Sequence, residues 1–512
     1  MEGMILGVDI GTSATKTVLF DLKGRIVASA SREYPLYQPQ MGWAEQDPED
    51  WARATLDTIA EVTQAVGAGR RSILGMGLSG QMHGMVLLDK AGRVLRPAMI
   101  WCDQRTQRQC DEITGILGRE RLIAITANPA LTGFTASKIL WVKENQPEIF
   151  EKIDKILLPK DYVRYVLTGE FATEVSDASG MQLLDVPQRQ WSGEVVSALG
   201  LSMQWLPGVY ESVEVSGRIS PRIAEQTGLW AGMPVVGGAG DNAAGAVGTG
   251  VVTPGAAFST IGTSGVVFAH MDRPQIDPQG RVHTFCHAVP GAWHVMGVIQ
   301  SAGLSLRWMR DELCAPEREA ALQEGIDPYE VMTREAMQSP LGARGLIFLP
   351  YLMGERSPHL DPVAKGAFVG LSAVHTRRDM IRSVMEGVGH ALQDSMEIIR
   401  EMQVPVTEVR AGGGGGRSAL WRQMQADMFG VPVRTVQAAE GPALGVALLA
   451  AVGVGAYDSV QQACGEAISL HAPLCPDQTA GAGYRQLHQV YQGLYHALKP
   501  SFDAIASMPG LG

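Results

Sequence analysis

Residues 5 to 34 read ILGVDIGTSATKTVLFDLKGRIVASASREY. Two apolar strands flank Gly11-Thr12-Ser13, a turn falls at Lys23-Gly24 and a third strand follows, the signature of a hairpin or meander. The run also comes close to a P-loop. Thr15, however, stands where that loop needs glycine before its lysine, and the residues after Lys16 alternate as a strand where a P-loop must open a helix. The stretch is therefore a strand–turn–strand unit.

Working outward, the same tripeptide recurs at Gly262-Thr263-Ser264 within AAFSTIGTSGVVFAH (Ala256 to His270), again between apolar strands and again preceded by isoleucine. One shared tripeptide is weak evidence, but the shared strand–turn–strand context makes a duplicated domain the expectation. Gly and Pro interrupt the pattern from Thr249 to Gly255, which divides the chain into residues 1–250 and 251–512. In the first half a helix is predicted from Pro48 to Val66 with Asp47 as N-cap. A buried strand, Ile73 to Leu78, then delivers Gly80-Gln81-Met82-His83-Gly84. In the second half a strand from Val406 to Ala411 enters the run Gly412 to Gly416, and a helix follows through Phe429. A strand from Val431 to Val436 and a small-residue helix from Gly441 to Val454 come next. Strands alternating with helices in both halves make the fold class α/β.

At 512 residues two large domains are expected. The 60 glycines cluster in short runs, as tight backbone approaches to a phosphate would require. A net charge of −11 argues against a nucleic-acid partner, which needs a basic face. The six cysteines contain no C-x-x-C pair, so neither zinc nor a disulfide framework is signalled. The longest apolar run, Ala443 to Ala456, falls short of the ~20 residues of a membrane span, and no basic segment with a signal core opens the chain. A cytoplasmic protein without a membrane partner is the expectation.

Several residues are placed for chemistry. In a hairpin turn Gly11 can take a positive φ, and the amides and hydroxyls of Thr12 and Ser13 can face phosphate oxygens. Asp9, at the end of the preceding strand, would then stand beside a phosphate-bound magnesium, which keeps its waters and takes one or two carboxylates. A polar turn with an exposed aspartate is the bland alternative. The second Gly-Thr-Ser turn weighs against it, since two lobes could grip one nucleotide. Asp241, flanked by glycines in VVGGAGDNA (Val235 to Ala243), suits a base that approaches a substrate closely. The same stretch matches a relaxed dinucleotide fingerprint, but Asp241 would repel the pyrophosphate and no acid follows at the ~20-residue spacing. The pentaglycine run is either a flexible loop or a strand-to-helix turn over which an adenine or ribose lies flat; its flanking strand and helix favour the turn. His83 would ordinarily read as a core or turn residue, yet it ends a buried strand between glycines, where α/β sheets bind ligands. Its neutral imidazole can donate and accept hydrogen bonds to hydroxyls. Met82 could be packing that lines a pocket. Trp43 reads as structural.

Two long motifs carry a resemblance. Gly133-x-Thr135-x-x-Lys138-Ile139-x-Trp141-Val142-x-Glu144-Asn145 fits the first signature of the FGGY carbohydrate kinases. Gly366-x-x-x-Gly370-Leu371, followed by Asp379-Met380-x-x-Ser383-Val384-Met385-Glu386, fits the second. The resemblance runs from about Gly7 to Val454. It implies the actin-like ATPase fold: two ribonuclease-H-like domains around a central cleft, the first binding the sugar and the second contributing most to the nucleotide. Gln81-Met82-His83, Leu158-Pro159-Lys160-Asp161-Tyr162, Trp101-x-Asp103-x-Arg105 and Tyr351-Leu-Met-Gly-Glu355-Arg356-x-Pro358-His359 resemble the xylulose branch of the family. Glycerol-phosphorylating members carry Arg-Glu at 82 and 83 instead.

The resemblance implies Asp241 as proton acceptor and Asp9 as the carboxylate needed for activity and nearest the metal. It implies substrate contacts at Met82, His83, Asp241 and Asn242, and nucleotide contacts at Thr12, Ser13, Gly262, Thr263, Gly414 and Gly415. ATP and Mg²⁺ are the implied cofactors, a small sugar and ATP the partners, and a homodimer an allowed assembly. The implied reaction is transfer of phosphate from ATP to D-xylulose, with another pentulose, a polyol or an aldonate such as gluconate as the alternative. Departures are Ala239, next but one before Asp241, and Gly416, where alanine or serine is usual. A chaperone-like ATPase is the rival from another class, and the Gln81-Met82-His83 strand end argues against it.

Overall fold

Met4–Ile10 (β1) and Ala14–Asp21 (β2) pair antiparallel, from Met4 opposite Asp21 to Ile10 opposite Thr15, and Ile26–Glu33 (β3) joins the far edge of β2. The computed structural model describes residues 3–437 and 440–508. The opening stretch is thus the meander its alternation predicts, and Lys16 continues a strand. On the other side of β1 lies Ile73–Gly80 (β4), parallel to it. Val215–Arg218 (β5) and Pro234–Val236 (β6) complete that edge, β6 parallel to β4 and β5 antiparallel to β6. Short Ala239–Gly240 (β7) pairs with the last two residues of β4.

β1 is covered on both faces, as its continuous apolar run requires. Leu6, Val8 and Ile10 share a core with Trp51, Ile59 and Val62 of the helix Pro48–Val66 (α1). That helix has the predicted bounds, and the Asp47 carboxylate accepts the Glu49 amide at 3.0 Å. Thr135–Asn145 (α2) and Pro159–Thr168 (α3) follow, α3 lying against α1 and β4.

The second half repeats the plan. After Asp241–Gly248 (α4), Gly255–Ile261 (β8) and Gly265–Met271 (β9) form an antiparallel hairpin with Ile261 opposite Gly265. His283–Cys286 (β10) and Trp293–Ile299 (β11) extend it on the β9 side; Val406–Gly412 (β12) and Val433–Arg434 (β13) run parallel on the β8 side. In each sheet the first strand is central, its hairpin partner lies on one side and two parallel strands on the other. The strand expected at 431–436 is shorter: only Val433 and Arg434 pair with β12, and Val433 and Val436 form isolated bridges to Leu474 and Leu470. Gly303–Leu313 (α5) packs on the buried helix Arg377–Glu401 (α6), which lies on β9 and β11; Ala419–Phe429 (α7) and Gln478–Ala506 (α9) stack outside it. The second signature thus builds α6. Asp379 closes a capping box with Thr376, and Glu386 accepts from Arg382 and Tyr484.

One helix crosses between halves. Gly441–Gly453 (α8) packs on β1, β4 and α4, so Ile5, Val18 and Phe20 share a core with Ala443, Val446 and Ala447. Glycines allow the approach. A Cβ at Gly7 would overlap the Ala443 carbonyl oxygen, one at Gly77 that of Val446, and one at Gly445 that of Ala244. Among the described residues no helix is long and apolar enough to cross a membrane.

Candidate active site

The carboxyl ends of three parallel strands set the site. Register places Asp9 beside Ser79 and Ser79 beside Ala239, then Ile10 beside Gly80 and Gly80 beside Gly240. The chain therefore releases Gly11-Thr12-Ser13, Gln81-Met82-His83 and Asp241-Asn242 along one edge, where open α/β sheets bind ligands.

Asp9 and Asp241 stand close enough to repel. Desolvation in the cleft and the negative charge of Asp9 push the Asp241 carboxyl up to about 7, against two hydrogen bonds from Asn242. Both bonds, from the Asn242 amide at 2.8 Å and its side chain at 3.0 Å, fall on Oδ1, so Oδ2 is the oxygen available to a hydroxyl. Burial also raises Asp9, partly offset by Ser79 and Lys16, and its Oδ1 has no hydrogen-bond partner. An orphaned carboxylate oxygen with a second carboxylate nearby is a hard-oxygen donor set that fits a magnesium ion carrying its own waters. Among the described residues no group of three or more His, Cys, Asp or Glu forms a closed cation cage.

The first Gly-Thr-Ser turn is braced from behind. Its Gly11 carbonyl accepts the Tyr34 hydroxyl at 2.5 Å, its Thr12 carbonyl the Gln46 side chain at 2.7 Å, and its Ser13 carbonyl the Tyr34 amide at 3.2 Å. The Thr12 hydroxyl accepts from Trp101 at 2.9 Å and donates to Gln81 at 3.3 Å. With the carbonyls engaged, the amides of Thr12 and Ser13 and the exposed Ser13 hydroxyl are the donors left for an anion. Gly11 lies outside the left-handed region, contrary to the positive φ expected; the turn closes through its amide, which donates to the Ala14 carbonyl at 3.0 Å.

The second turn shares its edge with the pentaglycine run. Gly412 pairs with Thr260 at the ends of β12 and β8, and Gly413, at φ 70°, approaches the Ile261 carbonyl too closely for any side chain. The run is a strand-to-helix turn. Gly262, Thr263 and Gly414 are exposed, whereas Gly415 is buried against Ile261 and Trp421. The Gly262 and Thr263 carbonyls accept main-chain amides of Ala302, Gly303 and Leu304 at the start of α5, at 2.8–3.1 Å.

His83 is buried at φ 69°, a strained position for a residue with a side chain. Its carbonyl accepts from Lys138 Nζ at 2.9 Å and the Thr135 hydroxyl at 3.1 Å, so the first signature clamps this turn. Burial, then the charges of Arg356 and Lys138, keep the imidazole neutral. Nδ1–H donates to the Gly180 carbonyl at 2.9 Å, so Nε2 is an acceptor and the ring's one donor is used. Met82 fills the space beside Gly240 and Gly180. Trp43 stacks under Arg105, whose guanidinium lies 3.5 Å from the ring centroid, and is structural.

Sequence reading passed over the buried charges behind this edge. Lys160 Nζ lies 2.8 Å from Asp161, 3.0 Å from Asp177 and 3.5 Å from Glu174. Arg164 bonds Asp161 at 2.7 Å and also the Gly237 carbonyl. Burial holds Asp177 well above the usual carboxylate range, whereas at Asp161 desolvation is overcome by the charges of Lys160 and Arg164, which hold it below that range. Glu174 accepts the Ser176 hydroxyl at 2.9 Å, and that hydroxyl accepts the Gly240 amide at 3.1 Å. The segment leading into Asp241 is therefore anchored at both ends. Lys160 and Asp161 stand in a quoted motif, but the contribution of Glu174 and Ser176 has no sequence signal.

A duplicated α/β frame with a Gly-Thr-Ser turn at the heart of each sheet, and two carboxylates beside the first, defines a two-lobed phosphotransferase. Residues 4–248 match the N-terminal domain, and residues 257–454 the C-terminal domain, of the FGGY family of carbohydrate kinases, and the chain belongs to that family. It is 40% identical to the xylulose kinase of Escherichia coli (strain K12), over 97% of this chain and 99% of that protein. It is 38% identical to the xylulose kinase of Bacillus subtilis (strain 168), over 98% and 99%. The crystal structure of xylulose kinase from Rhodospirillum rubrum superposes with a TM-score of 0.91 at 29% identity, covering 98% of this chain and all of that one.

Proposed function

We propose that this chain transfers the γ-phosphoryl group of ATP to the terminal hydroxyl of D-xylulose, with Asp241 as proton acceptor. The observation that carries the reading is the meeting of Asp9, His83 and Asp241 on one strand edge, with Asp241 raised to about 7. A base poised near the working pH is what a hydroxyl acceptor needs. Asp241 Oδ2 takes the hydroxyl proton, Asn242 holds the carboxylate by its other oxygen, and Met82 and His83 line the carbon chain. The amides of Thr12 and Ser13 and the exposed Gly262-Thr263 turn hold the phosphates; Gly414 and Gly415 shape the bed for the nucleoside. Bound magnesium would neutralise phosphate charge, with Asp9 as its protein-side carboxylate. Positioning and electrostatics do most of the work, as phosphoryl transfer generally demands.

We assign residues 1–250 and 251–512 as the two lobes, each with its own sheet, α8 being lent by the second to the first. A homodimer is an allowed assembly, which sedimentation of the purified protein checks. The test of function is ADP release with ATP and Mg²⁺ against a panel of D-xylulose, D-ribulose, D-gluconate and D-arabitol. Xylulose is expected to give the highest kcat/KM. ADP release that ignores every sugar would overturn the reading in favour of a nucleotide switch.

A further inference from the structure

Arg356 lies in the cleft among groups that do not neutralise it. Its guanidinium carbon is 5.7 Å from the centroid of the Phe134 ring, which is 4.7 Å from the His83 ring and 5.9 Å from that of His283. The adjacent Glu355 turns away, its Oε1 accepting the amides of Gln300 at 2.9 Å and of Arg356 itself at 2.7 Å. Among the described residues no acid offsets the desolvation that lowers this guanidinium to about 10. The two histidines supply the opposite polarity. His83 and His283 each engage Nδ1, with the Gly180 carbonyl and the Asn128 side-chain oxygen at 2.8 Å respectively, so each presents Nε2 as an acceptor. That of His283 is buried without a partner. The Arg356 fork is only partly covered and so open to a ligand, and the bare buried acceptor of His283 is costly to a fold unless it recognises something.

Their place along the site says what. Met82 packs on Gly240, the residue before Asp241, and His83 follows Met82. Arg356 and His283, both from the second half of the chain, stand near enough to interact electrostatically with His83 and, in the case of Arg356, with His283 as well. A sugar with its terminal hydroxyl at Asp241 therefore lays its other end against them. We infer that Arg356 is a specificity residue of the sugar pocket, its fork recognising the planar, electron-rich oxygen at the far end of the acceptor, with His283 accepting a neighbouring hydroxyl. This rests on the reading of the cleft as a sugar kinase site. The ketose carbonyl and the aldonate carboxylate share that chemistry, and guanidinium binds a carboxylate by two charge-assisted bonds. A polyol offers only hydroxyls there, and a site built around one polar group rejects the analogue that lacks it.

The experiment compares the wild-type chain with Arg356→Met and Arg356→Lys, using D-xylulose, D-gluconate and D-arabitol at saturating ATP. In the wild type, xylulose and gluconate should both exceed arabitol in kcat/KM. Arg356→Met should lose at least tenfold with xylulose and more with gluconate, but less than threefold with arabitol. Arg356→Lys, which keeps charge and loses the fork, should recover part of the gluconate loss. Binding of an ATP analogue reports that each variant is folded. Calorimetric binding of the three sugars without ATP reads the same ranking. Arg356-dependent binding with no phosphorylation would overturn the kinase reading and uphold this one. Equal losses with all three sugars, or none, overturn it.

Discussion

The two Gly-Thr-Ser turns share a hairpin, a preceding isoleucine and a parallel strand at the flank, yet they differ in charge. Two residues before the first turn stands Asp9, paired across the hairpin with Lys16; the equivalent pair beside the second is Thr260 and Val266. The bracing differs too. Side chains of Tyr34, Gln46, Gln81 and Trp101 hold the first turn, whereas main-chain amides at the start of α5 hold the second. The repeated frame thus carries the same hairpin turn in both halves and a carboxylate beside only one of them. On the function proposed above, the first half would set the reaction and the second would supply a neutral grip.

The largest effect expected from this asymmetry falls on the base. Asp241→Asn keeps size and removes proton acceptance, so kcat should fall roughly 10²–10⁴-fold while ATP affinity is kept. A loose transition state, with bond breaking ahead of attack, favours the lower end. Asp9→Asn should instead weaken magnesium dependence and nucleotide binding together. Near-normal turnover in Asp241→Asn would move the base elsewhere.

Main-chain bracing of the second turn predicts a different sensitivity. A Cβ at Gly303 would overlap the Gly262 carbonyl oxygen, with no side chain able to yield. Gly303→Ala should therefore raise the KM for ATP by about tenfold, a shift of ~1.4 kcal/mol, and leave sugar binding intact. Loss of sugar binding as well would mean that the two turns are not mechanically separate.

The pH dependence belongs to the charged half alone. With Asp241 at about 7, kcat/KM should climb with pH below neutrality, roughly tenfold per unit, and level off above it. The limb reports the interacting pair of carboxylates and should vanish in Asp241→Asn. The linked stability has the opposite sign. A carboxyl held above its unfolded value stabilises the fold fully below about 3.8, and that contribution is lost as pH rises through about 7. Without metal, Asp241→Asn should therefore gain melting temperature over the wild type at pH 8 and not at pH 4. An equal difference at both values would count against the assignment.

Much of this was legible because local rules govern it. Both hairpins follow from alternation around a polar turn, α1 from Asp47-Pro48, and the pentaglycine turn from its flanking strand and helix. Asp9, His83 and Asp241 could be named because each stands at or just beyond the carboxyl end of a strand. What escaped depends on packing. The return of α8 to the first sheet is permitted by Gly7 and Gly77, whose use for close approach has no one-dimensional signature. Lys160 stands in a quoted motif without a stated role, and Glu174 and Ser176 carry no sequence signal; only the fold buries the three together. Gly11 shows the converse: glycine allows a positive φ, and the hairpin did not need one.

The smallest expected effect tests the side-chain bracing directly. Tyr34→Phe removes the hydroxyl that donates to the Gly11 carbonyl at 2.5 Å, and the other donor to that oxygen, Gln81, is at 3.4 Å. The loss should cost about 0.5–1.5 kcal/mol, the net worth of one hydrogen bond. Tyr34 keeps its ring packing and its amide bond to the Ser13 carbonyl, so the turn loosens without collapsing. The KM for ATP should rise a few-fold while kcat and the pH limb stay in place, since Asp9 and Asp241 are untouched. Because the second turn is held by main chain, Gly303→Ala combined with Tyr34→Phe should give additive changes in nucleotide binding free energy if each turn is braced within its own half. A double variant much worse than the sum would show that the turns share one support across the cleft, and the contrast between a side-chain brace and a main-chain brace would then lose its force.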